Sequence, residues 1–147
     1  MIHIGHLFKT DVVRIEIPEL QYGTYEDHSI ALSFLYAFLD GISIAYNIER
    51  NDISGLLDLN RDGQSYDVII YDDVPGGAGY IKRLMNRSAI IEAVKAAKAK
   101  VSQNCFDEDT SCNHCLRNYY NQHYHPRLKR KYALQVINKL EEQFEKR

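Results

Sequence analysis

The chain lacks any run of about 18 uncharged apolar residues, the length a helix needs to cross a bilayer. Its best candidate, Ile30 to Ile48, is broken by Ser33, Asp40, Gly41, Ser43 and Asn47, which argues against a membrane span and a membrane partner. The first eleven residues show no basic leader followed by an apolar core, so no secretory signal is expected and the expected compartment is cytoplasmic. Cysteine is scarce: three residues, an odd number, which speaks against a disulfide framework. Several catalytic signatures are missing as well. There is no G-x-G-x-x-G, no G-x-x-x-x-G-K-[ST] phosphate loop, no H-E-x-x-H and no serine nucleophile elbow. With no D-E-x-H either, the chain carries no helicase motor of its own. No internal repeat, low-complexity tract or linker divides residues 1–147, so one domain is expected.

What is present suits a globular domain: 147 residues, 45% hydrophobic and 26% charged. The net charge of −2 conceals an uneven distribution. Residues 1–76 carry 4 Lys/Arg against 13 Asp/Glu, a balance of −9, whereas residues 77–147 carry 14 against 7, a balance of +7. Such asymmetry suits a face that meets a polyanion, or two halves that pack and partly neutralise one another.

Periodicity predicts an α+β fold, a small mixed or antiparallel sheet packed against several helices. Val13, Ile15 and Ile17 alternate with Arg14 and Glu16 as in a strand with one wet face, which Pro18 is expected to end. His28 to Ile48 reads as a helix with Ile30, Phe34, Leu35, Ala37 and Phe38 on a core-facing stripe, capped by Asp27 or Ser29 and loosened at Asp40-Gly41. Residues 53–59 and 66–71 read as a hairpin joined by the turn-forming N-R-D-G of 60–63. Residues 79–85 and 88–101 read as helices, the second capped by Ser88. Pro126 is expected to open a last helix from Arg127 to about Phe144, with Leu128, Tyr132, Leu134, Ile137 and Leu140 inward.

Three constellations could carry function. Cys105, Cys112 and Cys115 have the spacing C-x6-C-x2-C, in which a tight C-x-x-C turn and a third thiolate wrap a tetrahedral soft ion. Zinc is the leading cofactor, with Asp107, His123 or His125 as a fourth ligand; an Fe–S cluster or free thiols are the alternatives. Residues 71–79, Y-D-D-V-P-G-G-A-G, run from a buried strand into a glycine turn, where Gly76, Gly77 and Gly79 either cradle an anion or permit close packing. From Asn113 to Lys131 there are five Lys/Arg and no carboxylate, with Tyr119, Tyr120 and Tyr124 interleaved. Cations for phosphates beside rings for bases is the pattern of single-strand binding. Asp72 and Asp73 with downstream histidines offer a weaker, hydrolytic alternative.

The D-D-V-P-G-G-A-G of 72–79, the S-C-N-H-C-L-R-N-Y-Y-N-Q of 111–122, and His125, Leu128 and Arg130 together resemble the MrfA-type zinc-binding (MZB) domain. The resemblance runs from roughly Gly5 to Leu134. Members of this family occur at the C-terminus of DEAD/DEAH-type DNA helicases linked to DNA repair and in anti-phage defence proteins such as the DrmB component of DISARM. The resemblance implies a structural zinc held by Cys105, Cys112 and Cys115 ahead of the C-terminal helices. It also implies a glycine loop at Gly76, Gly77 and Gly79 and a polar signature at Arg117, Tyr119, Asn121, Gln122 and Arg130. The last five become candidate contacts to DNA, single-stranded DNA included. Two positions depart from the family pattern: Asp107 stands where a fourth cysteine is usual, and Lys129 where an acidic residue precedes the late arginine. The expectation is a free-standing or excised accessory domain that serves a helicase motor in cis or a partner subunit in trans. The alternatives are a scaffold whose acidic half docks a basic partner, and a nuclease-like hydrolase.

Overall fold

The computed structural model describes residues 12–72, 79, 81–84, 86–102, 116–117 and 119–145. Three strands, β1 (Val12–Gln21), β2 (Ile53–Leu59) and β3 (Ser65–Asp72), form an antiparallel sheet in the order β1-β3-β2. Helices α1 (Tyr25–Tyr46), α2 (Arg87–Val101) and α3 (Arg130–Glu145) cover one face of it, with short 3-10 turns at Arg50–Asp52, Ile81–Leu84 and Tyr119–Arg127. The α+β class expected from periodicity is the observed one.

β3 is the middle strand and is buried along most of its length, as its near-continuous apolar run required. Its hairpin with β2 closes through the turn that 60–63 encode. Asn60 N–H donates to Ser65 O at 2.9 Å, Gly63 N–H donates to Asn60 O at 2.9 Å, and Gly63 adopts φ +71, a conformation glycine reaches without strain. β1, in contrast, does not stop at Pro18. It is an edge strand, and its pairing with β3 becomes irregular between Glu16 and Gln21. A proline without an N–H is tolerated in an edge segment that has stepped out of the ladder.

α1 begins three residues before the expected start. Thr24 is its cap: Asp27 N–H donates to Thr24 Oγ1 at 2.9 Å, and Thr24 N–H donates back to Asp27 Oδ2 at 3.2 Å, a reciprocal box that orients the first turn. Helix α2 is likewise capped by Asn86 rather than Ser88, with Ala89 N–H donating to its side chain at 2.8 Å. α1 also carries more than one apolar stripe. Residues 31–35 and 37–42 are all buried, because the sheet lies on one side and α2 and α3 on the other. By length and average hydropathy this helix could cross a membrane, although polar residues interrupt it; here it is the central core helix, two-thirds buried.

Asp40-Gly41 does not interrupt α1. A Cβ on Gly41 would stand 2.2 Å from Ala93 O and 2.9 Å from Ala97 Cβ, so this glycine lets α2 approach backbone to backbone. Beside it, buried Asp40 meets Arg50 Nε at 3.3 Å and Lys100 Nζ at 3.2 Å. Burial pushes the Asp40 carboxyl above its usual range, while Lys100 and Arg50 pull it back. The Lys100 contact joins the acidic half of the chain to the basic half. Lys98 Nζ and Glu141, 2.6 Å apart, tie α2 to α3.

Candidate functional site

Cys105, Cys112, Cys115, Asp107, Gly76, Gly77 and Asp73 lie outside the described residues. Gly79 lies within them. It adopts φ +76, and among the described residues no heavy atom would meet a Cβ there within 4 Å. The backbone angle by itself favours glycine at that position.

The segment that follows Cys115 is anchored at its first residue. Leu116 is buried in the core. Asn121, also buried, donates from Nδ2 to Leu116 O at 2.7 Å, and its Oδ1 lies 2.8 Å from His125 Nε2. A carbonyl can only accept, so the amide must turn its NH2 to Leu116 and its oxygen to His125. His125 therefore donates from Nε2, and its neutral form carries the lone pair on Nδ1. Asn121 also has non-helical angles (φ −119, ψ 24), which breaks the 3-10 stretch into two turns. Pro126 falls inside the second turn and does not open a helix; α3 starts only at Arg130.

Two serines on α1 receive the segment that follows. Ser29 and Ser33 are four residues apart on one face and both buried. Arg127 Nε donates to Ser29 Oγ at 3.0 Å and Arg127 Nη2 to Tyr25 O at 3.2 Å, while Lys129 N–H donates to Ser33 Oγ at 3.0 Å. The Arg127 guanidinium lies 4.0 Å from the centroid of the Tyr25 ring. Lys129 and Lys131 approach the Tyr132 ring at 5.2 and 5.9 Å, and the Tyr132 hydroxyl donates to Glu26 at 3.4 Å. Beneath this cluster, His28 and Tyr22 contact the Tyr66 ring at 5.7 and 5.3 Å. Burial and the nearby Arg127 charge hold the His28 imidazole below its ordinary pKa.

The residues singled out in the sequence thus separate into two groups. Asn121 and Arg130 are interior: Arg130 Nη1 donates to Val101 O at 3.3 Å, at the C-terminal end of α2. Burial suits them to position the segment and leaves them out of reach of a phosphate. Gln122 and His123 are exposed, and Arg117 is half-buried. For Tyr119 the backbone, in the 3-10 stretch, is described. Of the expected inward face of the last helix, Leu128, Ile137 and Leu140 are buried, whereas Tyr132 and Leu134 are half-buried. Tyr22 and Tyr25 carried no signal in the sequence, since their neighbours Tyr66 and Arg127 are distant in the chain.

The hydrolytic alternative gains little from the geometry. Asp72 is buried on the inner face of the sheet, opposite Ile53, rather than open to solvent. A cavity of about 450 Å³ lies between β1 and the helices, lined mainly by Ile15, Ile17, Phe34, Phe38, Val94 and Phe144, with no histidine or aspartate in its described wall. Among the described residues no group of three His, Cys, Asp or Glu side chains could hold a metal ion.

The model of the MrfA Zn-binding domain matches residues 34–116, more than half of the chain, a span that contains all three cysteines. Druantia protein DruE of Escherichia coli (strain UMEA 4076-1) is 28% identical over 151 residues, a match that covers 92% of this chain and 8% of that protein. Among solved structures, the crystal structure of the DUF1998 helicase MrfA bound to DNA is similar, with a TM-score of 0.57 and 18% identity over 89% of this chain and 17% of that one. That likeness establishes a shared fold. The chain thus spans only a small part of either relative's length. Because that family model covers more than half of the chain, the chain belongs to the MrfA Zn-binding domain family.

Proposed function

We propose that this chain is a zinc-stapled accessory module of a helicase or defence protein, and that it contributes contacts to DNA without chemistry of its own. The observation that carries the reading is the clasp Leu116–Asn121–His125, which starts beside Cys115 and fixes the direction in which the basic segment leaves the metal loop. Cys105, Cys112 and Cys115 would supply three soft thiolate donors, a set that suits zinc. For the fourth donor, His125 is favoured over exposed His123. Its Nε2 is held by an amide oxygen, the outer-shell arrangement typical of ligand histidines, and it is tied to the residue after Cys115. Asp107 remains the competing ligand. Zinc bound there would lend its binding free energy to ordering a polar loop. Both relatives are far longer than this chain, and one is a helicase bound to DNA, which supports a service role beside a motor in cis or in trans.

Elemental analysis of the purified chain and its Cys112→Ser, Asp107→Ala and His125→Ala variants tests the staple. One zinc per chain is expected, lost in Cys112→Ser and in one of the other two; a metal-free, equally ordered wild type would overturn it. Titrating salt against binding to a labelled DNA tests the contacts, with affinity expected to fall as salt rises. Absence of binding at low ionic strength discards them. The scaffold reading draws on the acidic, partly apolar outer face of the sheet, where Leu56 is 44% exposed. Charge reversal at Arg127, Lys129 and Lys131 separates the two: it removes DNA affinity under the first and leaves complex assembly intact under the second.

A further inference from the structure

We propose that Tyr25, backed by the Arg127 guanidinium, is a stacking platform for one base of single-stranded DNA. The inference rests on the DNA-contact reading above and gives it a site that the sequence pattern did not reveal. Tyr25 opens the first turn of α1 and is 72% exposed, and Tyr22, just ahead of that turn, is 49% exposed. A tyrosine so open to solvent adds little to a core, since most of its apolar area stays in water. Arg127 is the better-fixed member of the pair. Its Nε is on Ser29 Oγ, its Nη2 is on the Tyr25 carbonyl, and its Cζ lies 4.0 Å from the ring centroid. The guanidinium thus rigidifies the ring at its own expense, so a base stacking on Tyr25 meets a surface already ordered.

The surroundings supply the rest of a single-strand site. Lys129 and Lys131 follow Arg127 within four residues and flank the Tyr132 ring, so cations suited to phosphate lie along the same edge as the rings. Two carboxylates share this neighbourhood. Asp27 is turned to the Thr24 N–H in the capping box, and Glu26 accepts from the Tyr132 hydroxyl. Each is thereby held by a donor, and a strand would pass on the lysine side. Stacking on an aromatic face tolerates any base, which suits a module that follows a strand without reading it.

The test uses the full chain, a fluorescein-labelled oligo-dT and an abasic strand of the same length, with binding read by anisotropy at low and moderate salt. Tyr25→Leu keeps apolar bulk but removes the ring, and at so exposed a position the lost Arg127 contact should lower the thermal midpoint by no more than a few degrees. We expect it to weaken oligo-dT binding by about tenfold. Tyr25→Phe should bind like the wild type, and the abasic strand should bind wild type and Tyr25→Leu equally. If Tyr25→Leu binds oligo-dT as tightly as the wild type, the platform is overturned while the DNA-contact reading stands. If the variant weakens both strands alike, the ring serves only to hold Arg127, and the platform is again overturned. A wild type that binds neither strand removes both readings together.

Discussion

On the outer face of the sheet, Arg14 donates to both Asp58 and Asp67, and Asn60 Nδ2 reaches Glu16 at 3.0 Å and Asp67 at 2.8 Å. At the start of α1, Arg127, Lys129 and Lys131 gather instead around tyrosine rings and neutral serine oxygens. The first cluster is closed: each carboxylate is engaged by a donor inside the domain, and Asp67 is almost fully buried beneath them. The second is more open, since the Arg127 guanidinium is held by the Ser29 hydroxyl and the Tyr25 carbonyl, both neutral, and so keeps its charge. Charge neutralised internally stabilises a fold, whereas charge held by neutral groups remains available to a partner.

The largest stability effect should come from the closed cluster. Asp67→Ala removes the acceptor shared by Arg14 and Asn60 and should cost about 2–3 kcal/mol, because hydrogen bonds to a charged, buried group are lost together. Chemical denaturation reads that loss, and DNA affinity should be unchanged. A parallel fall in affinity would erase the distinction between the clusters.

Asn121→Ala should cost less stability, about 1–2 kcal/mol, by removing the hydrogen bonds to Leu116 O and His125. Its larger consequence should be functional, because the segment leading from Leu116 to Arg127 loses its clasp. Denaturation and anisotropy on one protein batch would show this as a modest shift in stability with a clear loss of binding. The reverse pattern would assign Asn121 to the closed class.

The smallest expected effect concerns His28. Its folded pKa lies below the ordinary value of 6.5, first through burial and then through Arg127. The unfolded chain therefore binds a proton at a higher pH than the folded one. His28's contribution is fully present above pH 6.5 and is lost as pH falls from there through the folded value. Arg127→Gln should raise the His28 midpoint part of the way back, as followed by its ring proton shifts in NMR. No movement would mean that Arg127 does not face this ring.

Much of the fold was legible where local chemistry decides the outcome. The β2–β3 hairpin follows from the 60–63 turn between two apolar runs, and the two long helices follow from their composition. Boundaries were less legible. Thr24 and Asn86 cap through side chains a few residues ahead of the apolar stretch, and Pro18 is harmless only because β1 is an edge strand. At the site, the polar signature was visible, but its division into inside and outside was not. Asn121 and Arg130 look like surface residues until the carbonyls of Leu116 and Val101 arrive to satisfy them. Tyr25 and Arg127 lie 102 positions apart, and no window along the chain connects them.

By itself the sequence determined the element types and the family, because turn chemistry, periodicity and motif spacing are local properties. The tertiary structure decided which polar residues are interior and which rings meet which cations. Burial and pairing depend on segments that become neighbours only when the core closes around α1.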